Sequence, residues 1–220
     1  MSRQAARAMP RARAALAAAL VLTVSILTGC GGAPVAQPTG DELYSQAEKL
    51  YFEYREVVNG LLATIYDGPW SVSDSAAYGM APSSAGCGDG WNFGLTRSTT
   101  VDPAEHDRMR QEVADYLTDA GYEVEGMDLG SGEVTSSDVI VREQGLFSLL
   151  TVTFVNNGNV LVLVDTACHP GDHLELHDML FGDARLAEGY LPREESPSDP
   201  LFFGITPGDP QFLPSPSPTP

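Results

Sequence analysis

Apolar positions recur along the chain at two periods, which divide it into helical and extended stretches. From about Asp41 to Tyr66, residues Leu43, Ala47, Leu50, Tyr54, Val57, Val58, Leu61 and Ile65 fall on one helical face and predict an amphipathic helix. Thr39 and Glu42 form a capping-box pattern at its start, and Asp67-Gly68-Pro69 stops it. Residues 68–90 are rich in Gly, Ser, Ala and Pro and read mostly as loop. A short strand is expected near Trp91–Thr99. A second helix opens with Asp102 as N-cap, Pro103 at the first helical position and Glu105 completing the box. Its apolar stripe is Met109, Val113, Leu117 and Ala120, and Gly121 supplies a left-handed stop.

Extended patterns follow at Tyr122–Asp128, Asp138–Arg142, Leu146–Val155 and Val160–Thr166. Asn157-Gly158 between the last two predicts a type I′ hairpin, in which both central residues accept positive φ. Val160–Val164 is apolar at every position and reads as a mid-sheet strand buried on both faces. Hairpin-linked strands after a helix, a strand and a helix predict an α+β domain. It should hold a mainly antiparallel sheet of about four to five strands, with two helices packed on one face. Nine prolines between Pro192 and Pro220 exclude helix and central strand there. Residues 41–185 therefore read as a single domain and 186–220 as a Pro-rich, largely disordered tail.

The N-terminus has a different pattern. Arg3, Arg7, Arg11 and Arg13 precede an apolar run from Ala14 to Leu27, with no acid before Cys30. A run of fourteen residues, dominated by Ala, Leu and Val, is too short to span about 30 Å of hydrocarbon as a helix, and it suits a signal peptide. The run ends in Leu27-Thr28-Gly29-Cys30. This segment resembles the lipobox of bacterial lipoproteins: Leu, a small residue, Gly or Ala, then Cys. The resemblance implies that residues 1–29 are a lipoprotein signal peptide and that the Cys30 thiol receives a diacylglyceryl group. It also implies that cleavage leaves Cys30 as the new N-terminus. Residues 30–40 then form a flexible tether of Gly, Pro, Ala and Thr behind the lipidated Cys. Two or more acyl chains, at about 0.8 kcal/mol per buried methylene, anchor stably.

Removing residues 1–29 leaves eight basic groups against thirty acidic ones, a net charge of −22. Phosphate backbones would repel such a chain, which argues against nucleic acid as a partner. Lys49 is its single lysine, and Ala, Gly, Asp and Pro abound, a composition that suggests a GC-rich genome. Lipidation of Cys30 leaves Cys87 and Cys168, for which a disulfide is the expected state outside the cytoplasm. Cys87 precedes the first expected strand and Cys168 follows the last, so antiparallel neighbours could bring them together. The alternative, a reactive thiol, has no C-x-x-C motif and no basic residue near Cys87. The order of Cys87, Trp91, Phe93, Tyr122 and Cys168-His169-Pro170 also resembles small actinobacterial lipoproteins of unknown function. That resemblance implies a fold and no activity.

Three of the four histidines lie in Cys168-His169-Pro170-Gly171-Asp172-His173-Leu174-Glu175-Leu176-His177-Asp178. On a helix, His173 and His177 would share a face and could chelate Zn²⁺ or Cu²⁺, with Asp172, Glu175 or Asp178 adding oxygen. Against this, Pro170-Gly171 keeps His169 off that helix and the order is not H-E-x-x-H, so a solvated acidic loop or short helix suits the segment better. His106, in the first turn of the second helix, reads as a half-buried histidine rather than a base. Ser83 and Ser84 lack a G-x-S-x-G elbow. Tyr44, Tyr51, Phe52, Tyr54, Trp70, Trp91 and Phe93 suit core packing better than an aromatic groove. The expected role is thus non-enzymatic and needs no cofactor. A small acidic domain is held on the extracytoplasmic face of the cell membrane through Cys30 and binds an envelope protein or cell-wall component. The alternative is a metal- or small-solute-binding lipoprotein using the His169–His177 cluster.

Overall fold

The computed structural model describes residues 36–73, 77–182, 189–190, 193–205 and 213–214. Residues 1–29, expected to be a signal peptide, together with Cys30, most of the expected tether and the end of the tail, lie outside the described residues. The folded unit begins at Ala36.

Helix α1 (Gly40–Ile65) buries the stripe that its periodicity marks, including Leu43, Ala47, Leu50, Tyr54, Val58 and Leu61. The Thr39 hydroxyl makes no capping bond. The first-turn acceptor comes instead from far along the chain: Glu175 Oε1 takes the Gly40 N–H at 2.8 Å. Strands β1 (Trp70–Val72) and β2 (Pro82–Ser83) follow, then the long β3 (Gly90–Thr100). Asp102 caps as expected, accepting from Ala104 N at 3.0 Å, but the first turn is 3₁₀, and α2 proper spans His106–Asp119. Gly121 at φ +91° closes α2 in a Schellman motif: Gly121 N donates to Thr118 O and Tyr122 N to Leu117 O. Tyr122 is thereby held in the cap, so β4 starts later than the apolar pattern suggests and runs Glu125–Ser131.

Three hairpin-linked strands follow, β5 (Val134–Gln144), β6 (Phe147–Val155) and β7 (Asn159–Thr166). The β6–β7 turn is not type I′: Gly158 has φ +96°, whereas Asn157 keeps negative φ. Val155 O accepts from Gly158 N, giving the three-residue loop in which a type I turn precedes a left-handed glycine. Next come β8 (His169–Pro170), α3 (His173–Phe181), β9 (Gly189–Tyr190), β10 (Glu194–Glu195) and β11 (Leu213–Pro214). β9 and β11 pair with each other, apart from the main sheet.

The result is an α+β fold. Its antiparallel sheet has nine strands in the order β10-β1-β3-β7-β6-β5-β4, with β2 and β8 paired to the other end of β3. The expected four to five strands and two helices undercount it. The added strands β1, β2, β8 and β10 are two or three residues long. Each forms by pairing with β3 or with the edge that β1 extends, which no local periodicity records. Alternate sheet residues, among them Trp91, Phe93, Leu95, Val139, Val141, Leu150, Val152, Phe154, Val160, Val162 and Val164, form one core with the helices.

The segment after 186 also differs from a disordered tail where it is described. Glu195 enters the sheet opposite Trp70 and is 5% exposed. Its Oε1 accepts from Arg55 Nη2 and from Arg97 Nε, each at 2.7 Å, with both guanidinium groups buried. Leu201, Phe202, Phe203 and Ile205 pack on the core, and the Phe203 ring meets Tyr44, Tyr51 and Phe93. Prolines exclude regular helix there, but they leave short extended pieces free to seal the core.

Candidate binding face

Cross-strand register determines which side chains share a face, because directly paired residues point the same way. Arg97, Val162, Val152 and Val139 form one paired row and face the helices. The row one residue along, Ser98, Leu161, Thr153, Asp138 and Met127, must therefore face away from them. A second outward row is Thr96, Leu163, Thr151, Ile140 and Glu125, and a third is Gly94, Asp165, Leu149 and Arg142. None of these outward residues belongs to the core cluster. The reading of Val160–Val164 as buried on both faces is corrected here. Val160, Val162 and Val164 are buried, while Leu161 is 37% exposed, because the helices cover one side only.

This helix-free face mixes polar and apolar side chains: five of the fourteen residues on the three rows are large and apolar, and Ile140 among them is 3% exposed. Of the seven large apolar residues that stand exposed among the described residues, Met127 and Leu161 fall on its rows, while Leu129 and Val134 lie further along the β4–β5 hairpin. The face also carries two carboxylates. Asp138 is 7% exposed, and its Oδ1 has no hydrogen-bond partner among the described residues. Asp165 is half-buried, and desolvation pushes its carboxyl above the usual aspartate range. The one basic residue on these rows, Arg142, is held by Glu125 at 3.3 Å.

At one end of the face a wall rises. Ala81, Ser83, Ala85 and Gly86, from β2 and the residues on either side of it, line a cleft of about 550 Å³ with Asn92, Gly94, Leu163 and Asp165. Gly94 keeps this cleft open: a Cβ there would lie 3.3 Å from Asp165 Oδ1. Ser148 bulges from β6 and anchors the rim, its Oγ donating to the carbonyls of Asp165 and Thr166. Cys168 lines the same cleft and sits at disulfide distance from Cys87, with S–S 2.02 Å and Cα–Cα 5.4 Å.

The histidine cluster divides. His169 lies in β8, stacked on Trp91 at 5.3 Å, and burial pushes its imidazole below the usual histidine range. His173 and His177 stand one turn apart on α3 and are partly exposed, with His177 against Phe181. The nearby acids are occupied with the backbone: Asp172 caps α3 through Leu174 N, and Glu175 caps α1. Among the described residues, no three His, Cys, Asp or Glu side chains converge to hold a metal ion. His106 sits against Phe154, and its buried Nε2 lacks a partner among the described residues. Tyr51, Tyr54, Trp70, Trp91 and Phe93 are fully buried and build the core, with Tyr44 partly buried against it, whereas Phe52 is 38% exposed and lies outside it.

Fold and face define an α+β domain with helices on one side of its sheet and a mixed, acid-bearing surface on the other. Comparison with known proteins finds no matching family model, no matching curated protein and no matching solved structure. The face was hidden from sequence reasoning because its apolar residues alternate with core residues in the same strands. The signal available was Val160–Val164 itself, a fully apolar strand in a sheet expected to carry helices on one face.

Proposed function

We propose that the chain is a lipid-anchored protein of the extracytoplasmic membrane face. In this reading Cys30 carries the lipid, and the acidic domain binds a protein partner without catalysing a reaction. The observation that carries the binding half is the helix-free face, where exposed Met127 and Leu161 share the surface with Asp138 and Asp165, two carboxylates that no cation of the described residues meets. A buried carboxylate oxygen without a partner, beside exposed apolar side chains, suits contact with a partner that brings a cation or a hydrogen-bond donor. The anchoring half rests on the charged head, short apolar run and lipobox at residues 1–30.

Intact mass of the membrane-extracted protein tests the anchor. A chain starting at Cys30 with added diacylglycerol is expected, and an unlipidated chain starting elsewhere contradicts it. Photo-reactive residues placed in turn over the domain surface in living cells test the binding half. Discrete crosslinked species are expected, and none from any position would remove the reading.

A further inference from the structure

The cleft at the walled end of the sheet holds two polar side chains that the fold does not use. In β3, Trp91, Phe93 and Leu95 point into the core, so Asn92, Gly94 and Thr96 point out into the cleft. Asn92 is 6% exposed, yet its amide makes no hydrogen bond to any described residue. Asp165, paired with Gly94 on the next strand, has no partner for its carboxylate among the described residues either. Burial alone sets the direction of its pKa, with no cation of the protein opposing it. Buried polar groups left unpaired are costly, and a bound molecule that pairs them removes the cost.

The rest of the cleft narrows what that molecule is. At about 550 Å³ it fits a small molecule or one long side chain. No Lys, Arg or His lines it, so an anion would meet Asp165 with nothing to offset the repulsion. A metal ion such as Ca²⁺ takes about six to eight oxygen ligands, more than these two side chains supply. A neutral donor would pair with the carboxylate, but a charged one does so roughly twice as strongly. Ala81, Ala85 and Leu163 add an apolar flank, which suits the methylene stem that organic cations carry. Gly94 keeps the floor clear, since a Cβ there would already lie 3.3 Å from Asp165 Oδ1. Asn92 stands two residues along β3 from Gly94, about 7 Å, so one head group with several N–H donors reaches both side chains.

Beyond the partner binding proposed above, and without resting on it, we propose that this cleft binds the cationic head of an alkylguanidinium or alkylammonium group. The Asp165 carboxylate and the Asn92 side-chain carbonyl accept its N–H donors, and its stem lies on Ala81, Ala85 and Leu163. The same head group comes on a free solute or on an Arg or Lys side chain of another protein.

The test is calorimetry on the full chain in non-ionic detergent with n-propylguanidinium and with n-propylurea, a neutral compound of the same shape. The guanidinium is expected to bind, and the urea at least tenfold more weakly. Asp165→Asn and, separately, Gly94→Val should each weaken guanidinium binding at least fivefold. Gly94→Val keeps every charge, so it separates a seated ligand from attraction to general acidity. Glu56→Gln, on the exposed side of α1, should leave binding within twofold. In the parent protein the Asn92 side-chain NMR signals should shift on titration, a readout that needs no variant. A capped Ala-Arg-Ala peptide distinguishes the sources. Peptide binding tighter than n-propylguanidinium supports a protein side chain, and exclusion of the peptide with n-propylguanidinium still bound supports a free solute. Equal binding of n-propylurea, equal weakening by Glu56→Gln, or binding that leaves the Asn92 signals unmoved would overturn the proposal. No binding of n-propylguanidinium or of the peptide would remove the cleft site and leave partner binding to stand or fall on crosslinking in cells.

Discussion

At the scale of single residues, the described part of this molecule places its charges unevenly. Glu195 holds two buried arginines on one oxygen, and Arg55 also donates to Tyr51 Oη and to the Tyr78 carbonyl. Burial works against the Arg55 charge, but the nearby Tyr51, Glu195 and Tyr54 oxygens outweigh it and keep the guanidinium firmly protonated. Removing the shared anion takes the carboxylate from between two buried cations. Glu195→Ala is expected to cost about 3–5 kcal/mol in urea unfolding, the range for breaking a buried pair; a loss under 1 kcal/mol would show that the guanidiniums are satisfied without it. Asp165 presents the opposite case. Its folded pKa is raised, so its contribution favours folding below the unfolded value and is lost as pH rises through the folded one. Asp165→Asn should therefore melt at or above the parent near neutral pH, with the difference vanishing in acid. A variant that melts well below the parent at pH 7 would assign Asp165 a structural role. His169, with its pKa lowered by burial, favours folding when neutral, and that support is lost as pH falls through the folded value. An NMR titration should place its midpoint below that of an exposed histidine.

At the scale of elements, legibility followed locality. α1 and α2 were readable because their stripes, the Asp102 cap and the Gly121 stop are encoded within a few residues of where they act. β5, β6 and β7 were readable as period-two segments, with β4 displaced because Tyr122 is drawn into the α2 cap. What failed depended on distant partners. The Thr39 box gives way to Glu175 from α3, and β1, β2, β8 and β10 exist only because a neighbour offers an edge. Gly90 illustrates the closeness of that pairing, since a Cβ there would meet the His169 carbonyl at 2.4 Å. Cys87 and Cys168 staple the same corner across 81 residues. Loop closure of that length is worth about 4 kcal/mol in the chain-entropy estimate. Reduction, or Cys87→Ser with Cys168→Ser, should lower the unfolding free energy by up to that amount. An unchanged denaturation midpoint, with both thiols equally alkylated before reduction, would show that the link does not form.

At the scale of the whole molecule, a helix-covered side and an uncovered side give the domain a direction. The candidate site was legible only in part: Cys87 and Cys168 stand at the cleft, while His173 and His177 sit on α3, apart from its lining. Asp138 and Asp165 carried no sequence signal, because an aspartate in a strand looks like any solvent-facing residue until cross-strand pairing shows what surrounds it. Leu161 and Leu163 gave a signal that was read as burial. On this account the sheet side meets the partner and the helical side stays in solvent. The most direct measurement is photo-crosslinking in living cells with the reactive residue at Leu161 and, in a parallel strain, at Glu56 on the exposed side of α1. The account predicts a discrete crosslinked species from position 161, lost with Asp138→Asn and Asp165→Asn together, and none from position 56. Equal crosslinking from both positions, or a species from 56 alone, would contradict it.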